Sequence, residues 1–189
     1  MAAGSVLVLE RFRWLVVLLG VIWVVQAVNL FTGYALNDFF GLRPRSLAGL
    51  DGILFMPMLH GSLVHAAANT VPLAVLGGIL TVSARQVVPA ASAIIVGLGG
   101  LGVWLFGNAA IHVGASGLIF GWFGFLLARG LVEKRLVPLM VSVGVALVYG
   151  AMIWGVLPGQ TGISWESHLF GAAAGILAAV FLRTDDEAR

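Results

Sequence analysis

Four side chains in this sequence are hard to place in apolar helices without a reason: His65, Asn69, Ser116 and His168. His65 and Asn69 are four apart, so a helix would put them on one face. Ser116 stands in Gly-Ala-Ser-Gly, and His168 lies in a separate apolar stretch much further along. An imidazole in hydrocarbon is costly and marks a candidate site. A serine hydroxyl beside an imidazole is a nucleophile with its base. Asparagine and histidine N–H groups can hold the negative oxygen that appears when such a nucleophile attacks a carbonyl.

Composition decides what must position them. Of 189 residues, 60% are hydrophobic and 10% are charged, against about 25% charged in a soluble domain. The chain therefore reads as an all-α integral membrane protein, a single domain over residues 1–189 with short loops. The lack of cysteine excludes disulfides and thiolate metal sites, and no metal or cofactor is expected. A net charge of +2 is too small to suggest nucleic-acid binding.

Six apolar stretches stand out, at about 12–31, 53–82, 87–106, 110–131, 136–156 and 165–182. Most approach the roughly 20 residues that cross a bilayer core. The second is longer, so its first turn or two should lie in the interface or a loop. The first follows Arg11 and Arg13 like a signal peptide. It is long for one and lacks a small-x-small cleavage site, so it reads as a retained span. Six spans put both termini on one side. That side would carry eight of the ten basic residues (Arg11, Arg13, Arg85, Arg129, Lys134, Arg135, Arg183, Arg189), against Arg43 and Arg45 on the other, so the termini are expected in the cytoplasm. The apolar outer loop from Thr32 to Gly52 should dip into the interface. The tail Asp185-Asp186-Glu187 reads as a solvated end.

Depth brings the four residues together. Ser116 lies 13 residues before Arg129, His168 lies 15 before Arg183, and Asn69 lies 16 before Arg85. At 1.5 Å per residue each is ~20–24 Å above the inner edge of a ~30 Å core, roughly 6–10 Å below the outer surface. Gly117 and Gly121 line one face of span four, and Gly171 and Gly175 one face of span six. If these small faces meet, Ser116 and His168 meet at the outer end of the contact.

Each feature has a blander reading. A membrane serine commonly bonds its own backbone, and Gly-xxx-Gly pairs are ordinary helix contacts. A membrane histidine can be a cross-helix hydrogen bond. His112 reads as a solvated loop histidine, and Glu166 sits at a span end, where charge is cheap. Trp104, Trp122, Trp154 and Trp165 suit interfacial or packing roles. Convergence at one depth favours the functional reading.

In their order, three motifs resemble the rhomboid intramembrane serine proteases over essentially the whole chain. They are His60-x4-His65-x3-Asn69, Gly114-x-Ser116-Gly117 and His168-x2-Gly171-x3-Gly175. The resemblance implies a six-transmembrane-helix rhomboid-like bundle with Ser116 as nucleophile and His168 as general base. It implies an oxyanion hole from His65, Asn69 and the Ser116 backbone N–H, with His60 as a supporting residue. It also implies substrate entry between spans two and five. Two positions depart from the family. Its frequent Trp-Arg in the first outer loop is replaced by Gly-Leu-Arg-Pro-Arg (41–45). The Tyr that often packs on the base is Phe120, which keeps the ring without the hydroxyl.

No carboxylate is expected to be buried in the spans, which points to a Ser–His dyad instead of a triad. Neutral His168 would take the Ser116 proton and return it to the leaving amine. Helix four would aim its N-terminal N–H groups at the oxyanion, and Gly114 and Gly117 would let backbone and substrate approach. A site sunk in the lipid bilayer implies membrane-protein substrates, cut near the outer ends of transmembrane segments that unwind easily. The competing readings are a non-catalytic relative that binds or escorts membrane proteins, and a small transporter. The chain keeps both serine and histidine, and it shows neither an inverted repeat nor a buried carboxylate for ion coupling.

Overall fold

The computed structural model describes residues 2–159 and 162–183, with side chains from residue 10 onward. The acidic tail at 185–187 and Arg189 lie outside the described residues. The helices are α1 (Ala2–Phe31), α2 (Ala35–Phe40), α3 (Gly52–Phe55), α4 (Leu63–Ser83), α5 (Val88–Ile94), α6 (Gly100–Phe106), α7 (Ser116–Val132), α8 (Leu136–Tyr149) and α9 (Trp165–Phe181). A π-helical turn at Ile95–Gly99 joins α5 to α6, and a 3-10 turn at Gly150–Val156 extends α8. Among the described residues there is no strand, only an isolated bridge between Leu42 and His112.

Four segments among the described residues are long and apolar enough to cross a membrane: Glu10–Phe31, Leu63–Ser83, Arg85–Phe106 and Leu136–Val156. The apolar helices α7 and α9 are shorter, at 17 residues each. The protein is an all-helical integral membrane protein.

Local chemistry sets the helix ends. Ser62 caps α4 by accepting from the His65 N–H at 3.0 Å, and Ser164 caps α9 by accepting from the Ser167 N–H at 3.3 Å. At its other end α4 is met by two arginines. Arg11 Nη2 donates to the Val82 carbonyl at 2.9 Å and Arg129 Nη1 to that of Ser83 at 2.7 Å. A cation at a helix C-terminus is favourable. Arg129 is itself buried and paired with Glu133 one turn on.

Two stretches enter their helices later than the apolar pattern suggests. The second spends residues 52–62 in α3, a 3-10 turn and a loop, so His60 precedes α4 instead of lying in it. The fourth becomes helical only at Ser116. Gly114 has φ 126°, a region glycine enters readily, and its N–H donates to the Met56 carbonyl at 2.9 Å, so it cannot continue a helix.

The core is built around α7. Trp122, Phe125 and Leu126 pack with Leu76 and Leu80 of α4 and with Ile95. The glycine faces of α7 and α9 meet: a Cβ on Gly171 would overlap the Gly117 carbonyl, and one on Gly175 the Gly121 carbonyl. Backbones in lipid approach this closely only through small residues.

Candidate functional site

At the N-terminal ends of α7 and α9 lies a cavity of about 820 Å³ lined by His65, Asn69, Ser116, Phe120 and His168, among others. Loops before α4, α7 and α9 form its rim, through Gly61, Asn108 and Ser164. The nucleophile candidate, its base candidate and both side-chain oxyanion candidates thus share one chamber. Asn69 and His168 are buried, while Ser116 and His65 are half-buried.

Ser116 is the first residue of α7. The first N–H groups of a helix have no partner inside it and carry its positive end. Opposite stands His65. A Cβ on Gly114 would come within 2.8 Å of His65 Nε2 and 3.7 Å of Ser116 Oγ, so both atoms crowd the same point. Any larger residue at 114 would fill it. Asn69 Nδ2 donates to the His65 carbonyl at 3.1 Å and keeps a second N–H for the chamber.

His60 supports this wall from behind. Its ring meets that of His65 edge to face, with centroids 5.0 Å apart. Its Nε2 accepts from the Ala115 N–H at 3.4 Å. Its carbonyl accepts from Asn29 at 3.3 Å and from Asn37 at 3.2 Å, which ties the loop to α1 and α2.

His168 is held on two sides. Phe120 stacks flat on it, with centroids 4.0 Å apart and planes 5° from parallel. Its Nδ1 lies 2.8 Å from the Gly155 carbonyl. A carbonyl only accepts, so Nδ1 carries a proton, and in the neutral ring Nε2 keeps the lone pair. That is the tautomer a general base needs. Gly155 had no place in the sequence reading. Its letter says nothing about its carbonyl, although a Cβ there would stand 2.7 Å from Phe120 Cζ and 3.2 Å from His168 Nδ1. Among the described residues Ser116 and His168 are not hydrogen-bonded to each other. Catalytic hydrogen bonds are often long in a free enzyme and tighten only in the complex.

Two expectations need correction. His112 is not solvated: it is 3% exposed, with Nδ1 2.6 Å from Ser164 Oγ and Nε2 3.3 Å from the Asn108 carbonyl. Burial holds its imidazole below the usual histidine range. Glu166 is not a cheap surface charge: it is 2% exposed, and its Oε1 accepts from the Asn108 N–H at 3.1 Å. The loop at 107–115 folds over the first turn of α9 and covers both. A buried carboxylate therefore exists, yet the place of a third triad member on His168 Nδ1 is taken by the Gly155 carbonyl.

The outer loop is anchored without adjacent Trp and Arg. Arg45 Nη1 donates to the Gly107 carbonyl at 2.8 Å and the Leu105 carbonyl at 3.2 Å. Trp104 Nε1 donates to the Ser46 carbonyl at 2.9 Å. The two residue types are supplied from different elements.

A serine, two histidines and an asparagine thus line one chamber among the apolar helices of a membrane protein. A family model, the Rhomboid domain, matches residues 48–185. The uncharacterized protein Rv1337 of Mycobacterium tuberculosis and the uncharacterized protein Mb1372 of Mycobacterium bovis are each 40% identical over 188 residues, covering 92% of this chain and 78% of theirs. The uncharacterized protein ML1171 of Mycobacterium leprae is 35% identical, with 92% and 74% covered. The chain belongs to the rhomboid family.

Proposed function

We propose that the protein is an intramembrane serine endopeptidase that cuts transmembrane segments of other membrane proteins near their outer ends. The observation that carries this reading is the His168 ring, fixed by Phe120 and the Gly155 carbonyl with its basic nitrogen free, in the chamber that holds Ser116.

In this reading the four long segments together with α7 and α9 make six spans in a single domain over 1–189. Both termini face the cytoplasm of a prokaryotic plasma membrane. His168 Nε2 removes the Ser116 proton as Oγ attacks the substrate carbonyl. The tetrahedral oxyanion is met by the Ser116 N–H, Asn69 Nδ2 and His65 Nε2. His168 then protonates the leaving amine, and water repeats the sequence on the acyl-enzyme. Gly114 and Gly117 keep the approach clear, while Gly171 sets the helix spacing. The chamber walls include Ala68 and Pro72 of α4 and Tyr149 and Met152 at the end of α8, which supports substrate entry between those helices.

A fluorophosphonate probe tests the assignment. Wild type should be labelled and Ser116→Ala should not; labelling unaffected by that change would remove Ser116 as nucleophile. The missing Ser116–His168 hydrogen bond is the one observation that favours a non-catalytic binding or escort role. Absence of labelling and of turnover in the reconstituted wild type would remove the protease reading.

A further inference from the structure

The loop before Ser116 and the first turn of α9 are joined by a partly buried polar ring that the proposed reaction leaves unused. Ser167 Oγ is 2.7 Å from Ser164 Oγ, which is 2.6 Å from His112 Nδ1. His112 Nε2 is 3.3 Å from the Asn108 carbonyl, and the Asn108 N–H donates to Glu166 Oε1 at 3.1 Å. One proton arrangement satisfies every link: Ser167 donates to Ser164, Ser164 donates to Nδ1, and Nε2–H donates to Asn108. His112 must be neutral for this, in keeping with its burial.

The ring stands between the two halves of the dyad. From His112 the chain runs through Gly114 to Ser116. From Ser164 one helical turn leads to His168, whose N–H donates to the Ser164 carbonyl at 3.3 Å. The glycine contact holds α7 to α9 only from Gly117 inward. At the outer end, where hydroxyl and imidazole must meet, this ring joins their two segments beside the Phe120–His168 stack. The His112 backbone also exchanges hydrogen bonds with Leu42, at 2.9 and 3.1 Å, which carries the link to the outer loop. Glu166 Oε2 is buried with no donor among the described residues. An acceptor placed so unfavourably is tolerable at a helix N-terminus, where the dipole favours a carboxylate.

We propose that Glu166 and His112 are positioning residues that clamp the nucleophile's loop to the base's helix and so set the geometry of the Ser116–His168 pair. The proposal rests on the protease reading.

The test uses the full chain reconstituted in liposomes with a fluorogenic transmembrane substrate, measuring kcat, KM and thermal melting. Glu166→Ala and His112→Ala should each lower kcat by about tenfold or more while KM stays within about twofold, because misplacement acts on the chemical step. Glu166→Gln keeps an oxygen for the Asn108 N–H and should restore kcat to within about threefold of wild type. The double alanine variant should fall about as far as the worse single, since one clamp is broken only once. Unchanged kcat in both single alanine variants, or a loss confined to KM, overturns the proposal. Glu166→Gln as inactive as Glu166→Ala overturns it in favour of a charge effect. If the alanine variants do not fold, Ser164→Ala, which removes only a hydroxyl from the ring, decides: reduced kcat supports the clamp and unchanged kcat overturns it. Ser116→Ala is run alongside. Residual turnover there removes the underlying reading, whereas an inactive Ser116→Ala beside normal clamp variants removes the clamp alone.

Discussion

Helices α7 and α8 follow one another and are both apolar, yet they meet opposite surroundings. Twelve of the 17 residues of α7 are buried, against three of 14 in α8, so only the first is core. Hydropathy does not separate them, and neither does the mere presence of glycine. A Cβ on Gly121 or Gly124 would collide with Ile95 or Ala172, whereas Gly144 of α8 has open space around it. Midway along α8, Ser142 donates to the Leu127 carbonyl at 2.8 Å. At its C-terminal end its 3-10 extension reaches the chamber through the Gly155 carbonyl. The contrast teaches that Ser116 starts a helix packed in the core, while the more exposed helix supplies the carbonyl beside His168 Nδ1.

That contrast can be broken or sharpened by substitution, starting with the largest effects. His168→Ala should cut turnover of a reconstituted substrate by about 10⁴-fold or more without unfolding the protein, since it deletes the base. Retained turnover would move the chemistry elsewhere. Gly175→Leu should destabilise by about 3 kcal/mol by forcing α9 off α7. A melt unchanged from wild type would show that the core is not tightly packed there. Asn69→Ala should lower kcat by about 10²–10³-fold, as loss of an oxyanion donor does, with smaller change in KM. Gly155→Ala should lower kcat by roughly 10-fold or more, because the new methyl presses on Phe120 and His168. An unaffected Gly155→Ala would uncouple α8 from the base. At the small end, Leu147→Ala on the exposed face of α8 (81% exposed) should change stability by no more than about 0.5 kcal/mol and leave kcat alone.

Much of the bundle was legible because its signals are local. Apolar runs mark helices wherever they pack, and Gly117, Gly121, Gly171 and Gly175 name the faces that meet. His65, Asn69, Ser116 and His168, which line one chamber, stood out because polar side chains are costly in apolar stretches. The start of α7 was harder, since Ala110–Ala115 is apolar and only the backbone conformation at Gly114 keeps it from coiling. Glu166 and His112 were misread because a residue near a helix end looks solvated until the covering loop is known.

What the sequence determined alone is the class of molecule and the inventory of its reactive groups, since hydropathy, side-chain type and spacing are properties of the string. The tertiary structure decided which partners those groups obtain. It placed the Gly155 carbonyl against His168 Nδ1, used Arg45 and Trp104 to anchor the loop before α4, and joined 108–112 with 164–167 through a partly buried polar ring. Every residue but proline carries the same backbone donor, and every residue the same acceptor. Only the folded chain selects which of them stands beside an imidazole or a carboxylate.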